Sequence, residues 1–403
     1  PLVGRDQESA QLVASVCNPQ NRLITLVGAG GMGKTRLAYH GVEQIRQLQP
    51  STFVDGLYFV ELAPVTRTAD VATAIATALR LSNHREDPQQ AILNFVKDKK
   101  LLLILDNFEH LLPATSLLTE LLAKAPGLSI LVTSRIALTL YGEQIIQVQG
   151  IDYLLDNPYR VAEELPAVRL FTHSARRANP HFAVTDQNRT ALLQLCRYLE
   201  GMPLALELAA VWTQWLTIAE ISSEIARNVD FLATNYGDMP VRQRSMRAVF
   251  EWSWQLLSES EQRVLRQLSV FHGGFTRQAA EQIAGATLDS LVSLVNKSMV
   301  RMSRVHVETS TNDSNGAAQE LAQAGVTTEG LSTNRYEFHE LLRQFAASHL
   351  TSEEETQVVH RHASYYLAFA IARESRLALT EPRQATDELL AEIDNFRMAW
   401  STT

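Results

Sequence analysis

The chain has 403 residues, 46% hydrophobic and 20% charged, a balance that suits a soluble globular protein of several domains with sizeable cores. Its formal net charge of −8 argues against a nucleic-acid-binding surface over the whole molecule. The two cysteines, Cys17 and Cys196, are too few and too far apart for a disulfide framework or a zinc site, which points to a reducing, cytoplasmic setting. No apolar run approaches the roughly 20 residues of a membrane span, so no membrane partner is expected. The N-terminus lacks a charged-then-apolar signal region, and the start at Pro1 reads as a fragment of a longer protein.

In chain order, Val3-Gly4-Arg5 is a turn leading into a helix through Leu12, Val13 and Val16. Leu23–Val27 is an apolar strand candidate, followed by Gly28-Ala29-Gly30-Gly31-Met32-Gly33-Lys34-Thr35-Arg36 and a helical pattern through Leu37, Ala38, Val42 and Ile45. Strand, glycine loop and helix with G-x-x-x-x-G-K-[ST] spacing form a P-loop. Glycines let successive backbone N–H groups turn onto phosphate oxygens, and the helix N-terminus adds its positive end. Lys34 is placed to reach the β- and γ-phosphates, and the Thr35 hydroxyl to ligate Mg²⁺.

Leu57–Leu62 reads as a strand, followed by helices starting near Thr68 and at Asp87-Pro88. Leu101–Leu105 is a continuous apolar run suited to a strand buried on both faces, and it ends in Asp106-Asn107-Phe108-Glu109. A carboxylate there is the Walker B partner of the P-loop and holds the second side of the Mg²⁺ shell. The next strand, Leu128–Thr133, ends in Ser134 and Arg135, placed to sense a γ-phosphate. Glu143–Val148 alternates and suits an edge strand. The pattern predicts an α/β P-loop domain with a doubly wound parallel sheet over residues 1–155.

Strand signals then vanish. Helices starting at Pro166, running through Leu192–Leu199 and restarting at Pro203 predict an all-α domain over 156–238. A further domain, over 239–350 and beginning near Pro240, has helices at Met246–Leu257, after Ser258-x-x-Glu261, after Thr276 and at Leu288–Val295. Strands at Met299–Val305 and Tyr336–Phe338 follow, which together make a winged-helix pattern. The polar stretch 308–335 reads as a disordered wing insertion. After a helix at 340–350, Glu353-Glu354-Glu355 reads as an acidic break. His360–Arg373 and Ala385–Ala399 suggest a helical pair, so 351–403 is taken as the start of a helical repeat region.

With these motifs in this order, the sequence resembles a STAND-class NTPase of the NB-ARC kind, in its bacterial branch, where tetratricopeptide-like repeats are expected to follow. The resemblance rests on Val3-Gly4-Arg5, the P-loop, Leu105-Asp106-Asn107, Thr133-Ser134-Arg135, Gly201-Met202-Pro203-Leu204 and Phe338-His339-Glu340. Phe250–Trp254 and Leu268–Phe275 are similar to the bacterial branch. It implies that Val3, Gly4, Arg5 and Pro203 frame the adenine, that residues 28–36 hold the phosphates, and that Arg135 reads the γ-phosphate. His339 would touch the β-phosphate of ADP. Lys34, Asp106 and Arg135 would carry the chemistry, and Thr35 and Asp106 the metal.

The family's function is a signalling switch: ADP in a closed resting state, ATP-Mg in an open state that forms a homo-oligomer. The partners implied are a ligand sensed by C-terminal repeats and an effector domain. Asn107 stands where a fast ATPase has a carboxylate, so slow hydrolysis is expected, with Glu109 as the only nearby substitute. The alternatives are a DNA-binding transcriptional regulator and a constitutive ATPase. The would-be recognition helix, Thr287–Asn296, has no basic residue and no Arg or Gln to read bases, which argues against direct DNA binding. A GTPase is disfavoured because Asn296-Lys297-Ser298-Met299 lacks the guanine-reading Asp.

Overall fold

A computed structural model of the chain describes residues 2–81, 87–154, 161–234, 243–305, 333–380 and 382–401. The expected domain joins at 155/156 and 238/239, Pro240, and nearly all of the 308–335 stretch lie outside the described residues. The chain divides into two compact units, Pro1–Ser258 with Asn296–Ser298, and Glu259–Val295 with Met299–Thr403. Among the described residues, no helix is long and apolar enough to cross a membrane.

The first unit is built on a parallel sheet. Its strands are β1 (Leu23–Val27), β2 (Leu57–Glu61), β3 (Leu101–Asp106), β4 (Leu128–Ser134) and β5 (Glu143–Gln147), in the order β2-β3-β4-β1-β5. Every residue of β1 and of β3 is buried, as their unbroken apolar runs require for strands covered on both faces. β5 alternates and sits at the edge beside β1, with Leu23 paired to Glu143. β4 lies between β1 and β3, so the ends of the P-loop strand and the Walker B strand flank that of the strand carrying Arg135.

Around the sheet are α1 (Asp6–Cys17), α2 (Lys34–Leu48), α3 (Val71–Ala78), α4 (Pro88–Val96) and α5 (Thr115–Lys124). The start of α4 follows from its sequence: Asp87 accepts from the Gln90 N–H at 3.1 Å and Pro88 takes the first turn. Val71 and Ile75 of α3, Ile92 of α4, and Leu118 and Leu121 of α5 share one buried apolar cluster with Leu103 and Leu105 of β3, which covers one face of the sheet. Helices α6 (Pro166–Ala178), α7 (Asp186–Tyr198), α8 (Pro203–Val211) and α9 (Ile218–Arg227) follow, with no named strand among the described residues of this stretch. Helix α10 (Met246–Trp254) also belongs to this unit, although the sequence reading starts the next domain before it.

The second unit has α11 (Glu259–Leu268), β6 (Phe275–Thr276), α12 (Arg277–Ala284), α13 (Leu288–Asn296, its last residue in the first unit), β7 (Arg301–Val305) and β8 (Thr333–Glu337). The three strands form an antiparallel sheet in the order β6-β8-β7. The two-residue β6 escaped sequence reading because it is too short to show alternation. Phe275 stacks between Phe271 and Tyr336, with ring centroids 4.6 and 5.9 Å away.

A helix over Glu340–Ala347 and a long one over Ser352–Ile371 follow. Glu353-Glu354-Glu355, read from sequence as a break, is instead the first turn of that long helix. Thr351 and Glu354 form a capping box, and three carboxylates at the N-terminus favour the helix dipole. Shorter helices at Pro382–Leu390 and Ile393–Ser401 complete the unit.

Candidate nucleotide site

The C-terminal ends of β1, β3 and β4 converge where the phosphate loop begins. Gly31 and Gly33 take φ of 84° and 86°, a left-handed conformation that is costly for residues with a side chain and cheap for glycine. Gly33 caps α2, and the space where its Cβ would stand is open for 4 Å. A glycine loop that turns into a helix N-terminus, with open space at Gly33, fits a phosphate chain.

Lys34 opens α2 with its side chain folded back into the loop, Nζ donating to Gly28 O at 2.7 Å and to Ala29 O at 3.0 Å. Burial pulls its ammonium down to about 8, against the opposing charge of Glu109. Thr35 Oγ1 donates to Asp106 Oδ1 at 2.7 Å, and Thr133 Oγ1 donates to the same oxygen at 2.5 Å. Burial pushes the Asp106 carboxyl above its usual range, and the two hydroxyls hold it back. A hydroxyl and a carboxylate oxygen in contact at the loop suit a hard divalent cation such as Mg²⁺.

Arg135 is buried at the end of β4. Its Nε donates to Glu109 Oε1 at 3.1 Å, and its Nη1 donates to Val249 O at 2.7 Å and to Ser253 Oγ. Val249 and Ser253 both lie on α10. Val249 also presses on the loop, since a Cβ on Gly30 would stand 2.4 Å from its Cγ1. Helix α10 therefore touches the phosphate loop and the arginine beside it. Phe250–Trp254 carries a serine among aromatics, but nothing local tells that Ser253 and Val249 O reach an arginine more than a hundred residues upstream.

The structure also brings Arg5 and the start of the helix opened by Pro203 to the loop, and packs Gly4 against Pro166. Arg5 is buried, donating to Met32 O at 3.0 Å, to Gln149 O, and to Glu8 at 2.6 Å. Gly4 has φ of 65°, and a Cβ on it would stand 2.1 Å from Pro166. Pro203 opens α8, where the Leu204 N–H donates to Gly31 O at 3.3 Å. Arg36, in contrast, turns outward to Glu207 on α8 at 2.7 Å. His339 belongs to the second unit, where it caps the helix Glu340–Ala347 through Nδ1, accepting from the Leu341 N–H at 3.2 Å.

Residues 18–147 match the family model of an AAA domain, so the first unit contains a P-loop ATPase domain of that type. The chain is 32% identical over 289 residues to the uncharacterized protein Rv0894 of Mycobacterium tuberculosis, covering 69% of this chain and 70% of that protein. It is 33% identical over 393 residues to a second protein of that organism, named "Putative HTH-type transcriptional regulator Rv0890c". That match covers 95% of this chain but 40% of the relative, so the chain spans well under half of its length. Among solved structures, it is similar to the Signal Transduction ATPase with Numerous Domains (STAND) protein with a tetratricopeptide repeat sensor from Pyrococcus horikoshii. The identity is 17% and the TM-score 0.32, over 98% of this chain and 52% of that one.

Proposed function

The chain belongs to the family of the mycobacterial protein Rv0894, and we propose that it acts as a nucleotide-dependent switch in signal transduction. ADP holds a closed resting state. ATP with Mg²⁺ favours an open state that self-associates, and hydrolysis is slow enough to time the switch rather than drive a motor.

The observation that carries this reading is the hold of α10 on Arg135. A nucleotide shifts a conformational equilibrium only by its differential affinity for the two states. An arginine at the phosphate loop that is engaged by a helix from outside the sheet is a means to that difference. A γ-phosphate competes with Val249 O and Ser253 Oγ for the same guanidinium. In this scheme Lys34 and the loop N–H groups of 28–35 bind the phosphates, and Thr35 with Asp106 holds Mg²⁺. A bound cation there would offset the negative charge that develops on the phosphate oxygens. Val3, Gly4, Arg5 and Pro203 wall the base. Arg36 shapes the face of α8 through Glu207 rather than touching nucleotide. The role carried over for His339 stands on the resemblance, and nucleotide occupancy of His339→Ala tests it.

The relative's name favours an output in transcription. We assign that output to regulation and not to DNA contact by these residues, because α13 carries no basic side chain and exposes Leu288 and Val292. A winged-helix fold for the second unit is compatible with a packing role. A salt-dependent shift of duplex DNA by this chain would overturn that assignment.

The primary test is chromatographic identification of nucleotide released on denaturing the purified protein, followed by steady-state turnover. Stoichiometric ADP with slow turnover is expected. An empty site turning over ATP at tens per second refutes the switch and favours a constitutive ATPase.

A further inference from the structure

The residue after Asp106 is where a fast ATPase keeps the carboxylate that polarises water, and here it is Asn107. Its backbone explains the choice. Asn107 takes φ of 63° and ψ of 53°, a left-handed turn that asparagine tolerates better than glutamate, and its N–H donates to Thr133 Oγ1 at 3.0 Å. The turn feeds the short 3₁₀ segment Phe108–His110 and brings the next carboxylate, Glu109, back into the protein.

Glu109 is 2% exposed. Its Oε1 is held by Arg135 Nε, whereas its Oε2 is buried without a hydrogen-bond partner among the described residues. A buried polar oxygen left without a hydrogen-bond partner is costly, and such groups ask for a functional reason. Glu109 also sits among the reacting groups. Its charge bears on Lys34 more strongly than that of Asp106 does, and it bears on Asp106 as well. The other nearby carboxylate, Glu61, ends β2 opposite Asp106 in register but is exposed to solvent on the edge strand.

We propose that Glu109 is the catalytic carboxylate of ATP hydrolysis, with Oε2 receiving the attacking water and Arg135 fixing Oε1. The proposal rests on the reading that this site turns over ATP. The water oxygen forms a bond to the γ-phosphorus as the bond to the β,γ-bridging oxygen breaks, and that electron pair leaves with ADP. The water proton passes to Glu109 Oε2 and from there to solvent or the departing phosphate. In a loose phosphoryl transition state this carboxylate acts chiefly by orienting the water, so a residue three positions past Asp106 serves as well as its neighbour if the backbone turns it inward. Arg135 thereby links the hold of α10 to hydrolysis, because moving its guanidinium moves the carboxylate.

Glu109→Gln tests this, since the amide oxygen still accepts from Arg135 Nε and a purely structural role survives. Turnover is expected to fall about 10²-fold or more, the usual size of a general-base contribution. ADP affinity should stay within about threefold of wild type, as for an interaction made in the transition state. The control Glu61→Gln should turn over within about threefold of wild type. Turnover of Glu109→Gln within about threefold of wild type overturns the proposal. If Glu109→Gln loses its cooperative melting transition, Glu109→Asp decides. Drawing the carboxylate back by one methylene should cost about 10²-fold, and an unchanged rate refutes the role. A wild-type chain that binds both nucleotides yet never hydrolyses ATP refutes Glu109 alone, and one that binds neither refutes the switch.

Discussion

Ser253→Ala probes the hold of α10 on Arg135 with the smallest change available. Ser253 is 2% exposed, and its Oγ accepts from Arg135 Nη1, so the substitution removes one hydrogen bond to a charged group and little volume. Such bonds contribute about 1.5–3 kcal/mol. Arg135 keeps Val249 O at 2.7 Å and Glu109 at 3.1 Å, so the guanidinium stays in place and the loss does not grow into an unpaired buried charge. If the bond belongs to the closed state and is given up when Arg135 turns to a γ-phosphate, its removal favours ATP over ADP by the same energy. At about 1.4 kcal/mol per tenfold, the ratio of ATP to ADP affinity should rise about 10- to 100-fold. Titration with fluorescent ATP and ADP analogues, with stopped-flow release of the ADP analogue, reads both the ratio and the exchange rate. Release should quicken in parallel. A variant that melts a few degrees lower but keeps the wild-type affinity ratio within about twofold would show the bond to be structural, and the coupling argument would fall.

The depressed Lys34 ammonium makes ADP binding proton-linked. Phosphate favours the charged form, so affinity should be level below about pH 8 and decline above it, with proton uptake measurable by calorimetry in buffers of different ionisation enthalpy. Lys34→Met should abolish both binding and uptake. Asp106→Ala strips the oxygen that receives Thr35 and Thr133, and should weaken ATP binding at least about 10-fold in Mg²⁺ while changing Mg²⁺-free ADP binding little. In the second unit, His362 is buried against Phe271, and burial holds it down at about 4, with the Asn395 contact working the other way. The unfolded chain, with an ordinary His near 6.5, binds more protons between pH 6.5 and 4. Stability present above about pH 6.5 is therefore lost as pH falls, by about 3 kcal/mol. Urea midpoints at about pH 7 and pH 4.5 check it, and His362→Gln should flatten the difference.

Much of the nucleotide-binding apparatus can be read without a structure because its determinants are local. The glycine loop is one contiguous run between an apolar strand and an amphipathic helix, and each residue type is required by its own backbone or by the phosphate it faces. Asp87-Pro88 and Gly201-Met202-Pro203 announce helix ends for the same reason. The buried runs Leu23–Val27 and Leu101–Leu105 identify central strands, although not their neighbours. The triple glutamate shows the limit of that reading, since a charge run signals a break or a helix start according to whether Thr351 is there to cap it.

Sheet order, in contrast, was decided by packing. Arg135 at the end of Leu128–Thr133 is expected beside a γ-phosphate by likeness to P-loop ATPases with an inserted strand, but only the pairing of β4 with both β1 and β3 puts it there. Asn107 does not reveal that its left-handed turn returns Glu109 to Arg135, or that Val249 and Ser253 meet the same guanidinium. Local sequence sets which conformations a segment adopts. Which distant side chains share a buried charge depends on how the segments pack, and that arrangement minimises unpaired polar groups over the whole unit rather than within any stretch of it.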